Sequence, residues 1–336
     1  MTIAVHSYTI YHSPNSYLGT VLLRRSLSAV PGACRAGAGG DGANMRNMPD
    51  SVEQARHWYA EELRYTAKVN SSAVIDAFAA IPRERFVGPG PWRIKSPMDL
   101  AEYWSTENAE PRHVYHDILI ALDEAHGVNN GQPSLYAYLF DHLDIVTGEQ
   151  VLHLGCGTGY YTAIAAELVG FTGKVTAIEV DATLAREARA ALALWPQVRV
   201  SNADGSRTSF DPVDVIIASA GATHPLQSWL DALRPGGRLL FPMTTIRGGP
   251  GAMLLVTHRA EDELAARFVC RAGFIDFKGA RSRGISRRLA AALSRDRGAA
   301  VKSLRRDPHT KNGTCWLHER EWCLSLRSIP GSAGPV

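Results

Sequence analysis

The spacing of apolar residues changes character near position 150. Between 51 and 69, Val52, Ala55, Tyr59 and Leu63 recur at helical intervals among charges and predict an amphipathic helix. Further helices are predicted over 73–81, closed by Pro82, and over 134–143. From Val151 onward, short apolar runs alternate with helix-length segments. Strands are predicted over 151–154, 173–180, 198–202, 213–219 and 238–242, the last entered through the turn Arg234-Pro-Gly-Gly237. Helices are predicted between them over 160–169, 182–194 and 225–233. This alternation implies an α/β fold, a doubly wound Rossmann-like and mostly parallel sheet with ligands at the carboxyl ends of its strands. Before it, residues 88–114 carry four prolines and several aromatics and predict a long ordered loop. Trp92, Tyr103 and Trp104 there either meet a bound peptide or anchor the loop. After the sheet, a basic helix is predicted over 287–304 with Leu289, Ala292, Leu293, Val301 and Leu304 on one face, then a closing strand over 316–324.

The candidate chemistry sits where the first strand runs into Gly155-Cys156-Gly157-Thr158-Gly159-Tyr160. An apolar strand, a glycine turn and a helix start together suit an adenosine-containing cofactor, since the backbone approaches closely and the helix offers free N–H groups. The spacing is G-x-G-x-G. Tyr160 stands where a dinucleotide fingerprint needs its last glycine, which disfavours NAD or FAD and leaves room for S-adenosylmethionine. Glu179 closes the next strand twenty residues past Gly159, placed to accept from both ribose hydroxyls. Asp204-Gly205 follows the third strand; Asp204 either accepts from the adenine amino group or forms an Asx turn.

The runs VLHLGCGTGYYTAIAAELVG (151–170), GKVTAIEVD (173–181), ADG (203–205) and LRPGGRLLFP (233–242) resemble the class I methyltransferases. The Gly159-Tyr160 pair and the upstream segment VIDAFAAIPRERFV (74–87) are similar to the protein-L-isoaspartate O-methyltransferases, a resemblance spanning roughly residues 55–277. It implies a seven-stranded methyltransferase sheet, S-adenosylmethionine as methyl donor, and methylation of a carboxylate on a protein or peptide. Two departures stand out. His153 occupies a position where such enzymes usually carry a carboxylate that helps hold the cofactor's ammonium group; a neutral histidine could serve only through an acceptor nitrogen. In the substrate loop the chain reads Asn129-Asn-Gly-Gln-Pro-Ser134, with Gly131 in place of the serine that the resemblance implies near the isoaspartyl group. Asn129, Asn130, Gln132 and Ser134 then either orient a substrate carboxylate through their polar groups or form a tight turn ahead of a helix begun by Pro133.

Methyl transfer from a sulfonium demands alignment, and a carboxylate is already ionised at neutral pH, so no general base is needed. The strand end Ser219-Ala-Gly-Ala222 lacks the Asn/Asp-Pro-Pro-Tyr signature of amino-group methylation and the Pro-Cys pair of pyrimidine-carbon methylation. A tailoring methyltransferase acting on a small metabolite or ribosomally made peptide is the alternative raised by the altered loop. An RNA methyltransferase is the one raised by the basic tail, and a non-catalytic cofactor-binding module the one raised by His153.

Composition refines this picture modestly. With 336 residues and 45% hydrophobic content the chain can bury a sizeable core, and a net charge of +3 gives no global reason to expect nucleic acid. Five cysteines, an odd number, suit a reducing compartment and hence the cytoplasm. No apolar run is long enough to span a bilayer, so no membrane partner is expected. The segments expected are 1–47, disordered, upstream of the true start or a targeting presequence; 48–145, a helical substrate-binding extension; 146–285, the methyltransferase domain; and 286–336, the basic helix and closing strand. Arginines crowd 271–311, as a phosphate-binding patch for RNA, as the solvated face of a packed helix or as a docking surface for acidic peptides. Cys270, Cys315, His318 and Cys323 lack paired C-x-x-C knuckles, so no metal is expected.

Overall fold

A computed structural model describes residues 51–246, 249–260 and 263–329. The expectation for residues 1–47 falls outside them. Two helices open the described chain, α1 (Val52–Thr66) and α2 (Ser72–Ala80). α1 buries Tyr59, Ala60 and Leu63, as its spacing implies; α2 starts at the Ser71 cap, which accepts from the Val74 N–H at 3.4 Å.

Residues 88–114 are not a loop. They contain β1 (Arg93–Ser96) and β2 (Asp99–Ser105), which pair antiparallel and continue into β3 (Leu119–Asp123) and β4 (Val128–Asn129) as a four-stranded sheet ordered β2-β1-β3-β4. The prolines mislead because they sit at the ends and in the hairpin turn, where no ladder N–H is needed. Trp92 is buried and donates its indole N–H to the Gly88 carbonyl at 3.0 Å, whereas Trp104 is exposed. Helix α3 (Pro133–Leu143) then leads into the main sheet.

That sheet alternates β5 (Gln150–Leu154), α4 (Tyr160–Val169), β6 (Lys174–Glu179), α5 (Ala182–Ala191), β7 (Val198–Asn202), β8 (Val213–Ala218), α6 (Gln227–Asp231) and β9 (Leu233–Thr244). β5 to β9 are parallel, in the order β7-β6-β5-β8-β9. β10 (Gly251–Ala260) and β11 (Glu263–Arg271) add antiparallel strands, and helix α7 (Arg283–Asp296) is followed by β12 (Ser303–Arg305), β13 (Cys315–His318) and β14 (Cys323–Ser325). The sheet therefore has ten strands in the order β13-β14-β12-β11-β10-β9-β8-β5-β6-β7, three more than the seven expected, all three from the tail. Arg234–Gly237 is a bulge inside β9 rather than a turn before it: Val213 pairs with Leu233, and Val215 already with Arg238.

The tail departs from its pattern too. α7 stops at Asp296, and Arg297 and Gly298 follow in the left-handed region (φ 58° and 84°), so Val301 and Leu304 reach the core from an extended segment and not from a helix. The closing segment 316–324 is two strands hinged by a turn, with the Glu319 N–H bonded to the Trp322 carbonyl at 2.9 Å. One hydrophobic cluster joins α1–α4 to one face of the sheet; the other joins α6, α7 and β12–β14 to the opposite face. α4 shows how deep the site is set: nine of its ten residues are buried.

Candidate active site at the carboxyl ends of the parallel strands

β5 is flanked by β6 on one side and β8 on the other, so the chain reverses its winding direction between β5 and β8. In open α/β sheets this switch point is where ligands bind. The glycine loop lies there. Gly155, Gly157 and Gly159 have φ of 72°, 57° and 96°, conformations that favour glycine, and a Cβ on Gly159 would stand 2.6 Å from Leu192 Cδ1. Gly159 opens α4 without a side-chain cap.

Glu179 is 6% exposed and reaches back under this loop. Its Oε2 accepts from the Gly157 N–H at 2.8 Å and its Oε1 from the Asp181 N–H at 3.0 Å. Burial holds its pKa above the ordinary carboxylate value, while the backbone donors counter that. A carboxylate so placed has acceptor capacity left for two hydroxyls. Asp204 accepts from the Ser206 N–H (2.9 Å) and hydroxyl (2.7 Å), the Asx turn among its two readings, and lies 3.5 Å from the Arg207 guanidinium. The Gly205 carbonyl takes the indole N–H of buried Trp229 at 3.0 Å.

Two side chains at the loop, His153 and Tyr160, face the interior of the protein. His153 is 1% exposed and both ring nitrogens are engaged, Nδ1 with Thr162 Oγ1 and Nε2 with Ser219 Oγ, each at 2.8 Å. The Tyr136 hydroxyl donates to the same serine oxygen at 2.7 Å. Burial lowers the His153 pKa to about 4. The imidazole is a neutral link in a Tyr136–Ser219–His153–Thr162 chain, with no acceptor to spare for an ammonium group. Tyr160 points away from the loop. It is 1% exposed, its ring meets Phe78 and Phe86, and its hydroxyl lies 3.3 Å from that of Tyr59. A side chain at a helix start points back over the preceding turn, here into the α1–α2 layer. Thr158 donates to the Phe86 carbonyl at 2.5 Å, and Cys156 is buried with its thiol pKa pushed upward by desolvation. These two offer the loop their backbone alone.

The 129–134 loop is braced from within. Asn129 Oδ1 accepts from the Gly131 N–H at 2.9 Å. Asn130 is 6% exposed and its Oδ1 accepts from Arg83 Nε at 3.1 Å, so its oxygen is committed to the scaffold. Gln132 and Ser134 both close on Asp117: Gln132 Nε2 donates to Oδ2 at 3.0 Å, Ser134 N–H to Oδ1 at 2.8 Å and Ser134 Oγ to Oδ2 at 2.7 Å. Gly131 has φ 81°, and a Cβ there would stand 2.7 Å from the Tyr136 ring and 3.0 Å from the Tyr161 ring.

Sequence reasoning missed Arg83. It is fully buried, and all five donors are used: Nε on Asn130, Nη1 on the carbonyls of Val114 (2.8 Å) and His116 (2.9 Å), Nη2 on those of Ile118 (2.8 Å) and Gly131 (3.4 Å). It thereby ties the substrate loop to the segment before β3. Its guanidinium also lies 5.7 Å from the Tyr160 ring centre, which connects it to the cofactor loop. Asp117, Tyr136 and Ser219 were missed as well. Arg83, Tyr136 and Ser219 lay in segments the sequence had singled out, the run 74–87, the helix 134–143 and the strand end 219–222; Asp117 did not.

Residues 56–281 match the family described as protein-L-isoaspartate(D-aspartate) O-methyltransferase. Among similar proteins, a protein-L-isoaspartate O-methyltransferase 1 of Rhodopseudomonas palustris is 35% identical over 211 residues, covering 60% of this chain and 76% of its own. One from Aeropyrum pernix is 32% identical over 201 residues, 58% and 69% of the two chains. A solved protein-L-isoaspartate O-methyltransferase aligns with TM-score 0.55 at 24% identity over 74% of this chain and 69% of that one. A Plasmodium falciparum structure in complex with S-adenosyl-L-homocysteine aligns with TM-score 0.54 at 14% identity, over 67% and 98%. Both likenesses concern the fold.

Proposed function

Because the chain belongs to the protein-L-isoaspartate(D-aspartate) O-methyltransferase family, we propose that its switch-point site takes S-adenosylmethionine and methylates a carboxylate of a protein or peptide. The observation that carries this reading is Glu179, a buried carboxylate bonded to the Gly157 N–H at the turn between strand and helix. We assign the ribose to Glu179, the close backbone approach to Gly155, Cys156, Gly157, Thr158 and Gly159, and the base to the Asp204-Gly205 turn.

The cofactor supplies an activated methyl on a positive sulfur that leaves as a neutral thioether. What remains for the protein is alignment and exclusion of water. The groups around the loop fit that task. Both ring nitrogens of His153 are taken up by Thr162 and Ser219, and the Tyr136 and Tyr160 hydroxyls are each pushed up to about 12 by burial and so stay protonated, so none competes as a nucleophile. The substrate carboxylate arrives ionised. Gln132 and Ser134, whose donors rest on Asp117 and on each other, are the side chains of the 129–134 loop we assign to positioning it, by exchanging the Asp117 carboxylate for the substrate's, with Asn129 setting the turn.

Gly131 favours a second reading within the same chemistry. Its φ and the stacked Tyr136 and Tyr161 rings, 3.5 Å apart, exclude a serine side chain there. A loop remodelled in this way suits a tailoring enzyme that methylates a carboxylate of a ribosomally made peptide. RNA finds less support, because three of the tail's arginines are already paired with carboxylates: Arg288 with Glu319, Arg306 with Asp231 and Arg281 with Asp276. No helix among the described residues is long and apolar enough to cross a membrane, and we place the enzyme in the cytoplasm on its four free described cysteines.

The test is methyl transfer from radiolabelled S-adenosylmethionine to an isoaspartyl peptide, its aspartyl counterpart and a cell extract. Base-labile label on a peptide carboxylate is expected. Label preferring isoaspartate selects repair, label on ordinary aspartate selects tailoring, and base-stable label would overturn carboxyl methylation altogether.

A further inference from the structure

The strand pair that ends the main sheet carries a feature lying outside the family-matched residues 56–281. His309, Cys315, His318 and Cys323 bring one ligand atom each within 4.8 Å of all the others. We propose that these four side chains form a tetrahedral Cys2His2 zinc site that staples the tail to the sheet.

The geometry is close to that of a loaded site. Zinc–sulfur bonds of about 2.3 Å and zinc–nitrogen bonds of about 2.0 Å at tetrahedral angles put ligand atoms roughly 3.3–3.8 Å apart. His309 Nε2 and Cys315 Sγ are already 3.6 Å apart. The remaining edges, at most 4.8 Å, need to close by no more than about 1–1.5 Å, a movement within reach of side-chain rotation. In the β13–β14 ladder His318 stands directly opposite Cys323, so one cross-strand pair supplies half the ligand set from a fixed backbone.

The outer contacts point the same way. His309 Nδ1 is 2.8 Å from the Asp307 carbonyl, which fixes the proton on that nitrogen and turns the Nε2 lone pair toward Cys315. The Asn312 N–H points at Cys315 Sγ from 3.4 Å, a donor that favours thiolate. Of the six side-chain polar atoms left buried with no hydrogen-bond partner among the described residues, two lie at this cluster: His318 Nδ1 and Arg305 Nη1. Arg305 faces Cys323 in the β12–β14 ladder. A metal gives the histidine nitrogen its partner, and a metal-bound thiolate gives the arginine its acceptor. Buried polar atoms are otherwise nearly always satisfied.

The donor set selects the ion. Two thiolates and two imidazoles suit zinc and leave no position open for water, which makes the site structural. On binding, two sulfur–metal and two nitrogen–metal bonds form and the two thiols release their protons to solvent, so the site is neutral overall. Its effect is on the loop 306–314, whose residues are largely exposed and whose middle His309 would then tie to the sheet. The expectation of no metal is revised for a spatial reason: Cys270 is not in the cluster, and His309, six residues before Cys315, takes the fourth place.

Zinc is measured by mass spectrometry on the full chain, purified and desalted under a phosphine reductant. About one equivalent per chain is expected, falling at least roughly tenfold in Cys315→Ser and His309→Ala but unchanged in Cys270→Ser. Because a ligand variant can unfold, chelator-stripped wild-type protein is also titrated with cobalt. The visible bands of a tetrahedral thiolate site, saturating at about one equivalent with a rise in melting temperature, are expected. Zinc-free folded protein with no such bands overturns the proposal. So does zinc retained in both ligand variants, or a Cys315–Cys323 disulfide found by alkylation and mass analysis of unreduced protein.

Discussion

Lowering the pH separates His153 from the carboxylate it stands in for. Burial lowers its pKa from 6.5 to about 4 in the folded protein. Between those values the unfolded chain binds a proton that the native chain does not, so stability is fully present above about pH 6.5 and is lost as pH falls toward 4. Each pKa unit corresponds to about 1.4 kcal/mol, so the whole difference amounts to about 3 kcal/mol, of which about 2 kcal/mol is gone by pH 5. The site is sealed from solvent, so screening does little to reduce this. Urea denaturation of wild type and His153→Asn at pH 7.5 and pH 5 isolates the effect, because other titrating groups act equally on both proteins. The variant starts less stable, having lost a bond to Thr162 or Ser219, but should lose about 2 kcal/mol less on acidification. Parallel losses in the two proteins would refute the neutral, doubly bonded histidine.

Three further expectations follow from the scaffold. Asn130→Ala leaves Arg83 Nε without an acceptor in a fully buried position and should cost about 1.5–3 kcal/mol in urea denaturation; unchanged stability would mean that the arginine is solvated. Gly131→Ser places a Cβ 2.7 Å from the Tyr136 ring at φ 81°, so it should destabilise by about 1–3 kcal/mol and give no gain on isoaspartyl peptide, a gain being the result against it. Deleting 283–336 uncovers β11 and the partners of Leu289, Ala292 and Leu293, so the truncated protein should melt lower or aggregate without any nucleic acid; an unchanged melting temperature would contradict that packing.

The core sheet was legible because its signals are local. The strand 198–202 and the helix 160–169 follow from apolar runs bounded by turn residues, and the glycine loop marks the ligand end by itself. What escaped depends on contacts distant in sequence. Arg83 reads as one of three charges in an IPRERF run, and its partners are mostly backbone carbonyls 31 to 48 residues away, which no motif records. The outer strand β2 is largely exposed and its sequence, Asp-Leu-Ala-Glu-Tyr-Trp-Ser, does not alternate apolar with polar, so its strand signal is faint beside the prolines. Tyr160 and His153 were placed by position in a motif, which fixes the backbone but not whether a side chain faces the ligand or the core. The His309 cluster spans a fifteen-residue segment with a single short C-x-x-H spacing, and the register of β13 on β14 assembles the rest.

The assignment of the switch-point site is tested most directly by titration calorimetry of S-adenosylhomocysteine against wild type and Glu179→Ala. Wild type should bind one equivalent while NAD gives no heat. Removing a charged acceptor for two hydroxyls should weaken S-adenosylhomocysteine about tenfold or more, since such bonds contribute roughly 1.5–3 kcal/mol. Equal affinity in the two proteins, or binding of NAD by wild type, would contradict a methyl-donor site built on Gly157 and Glu179.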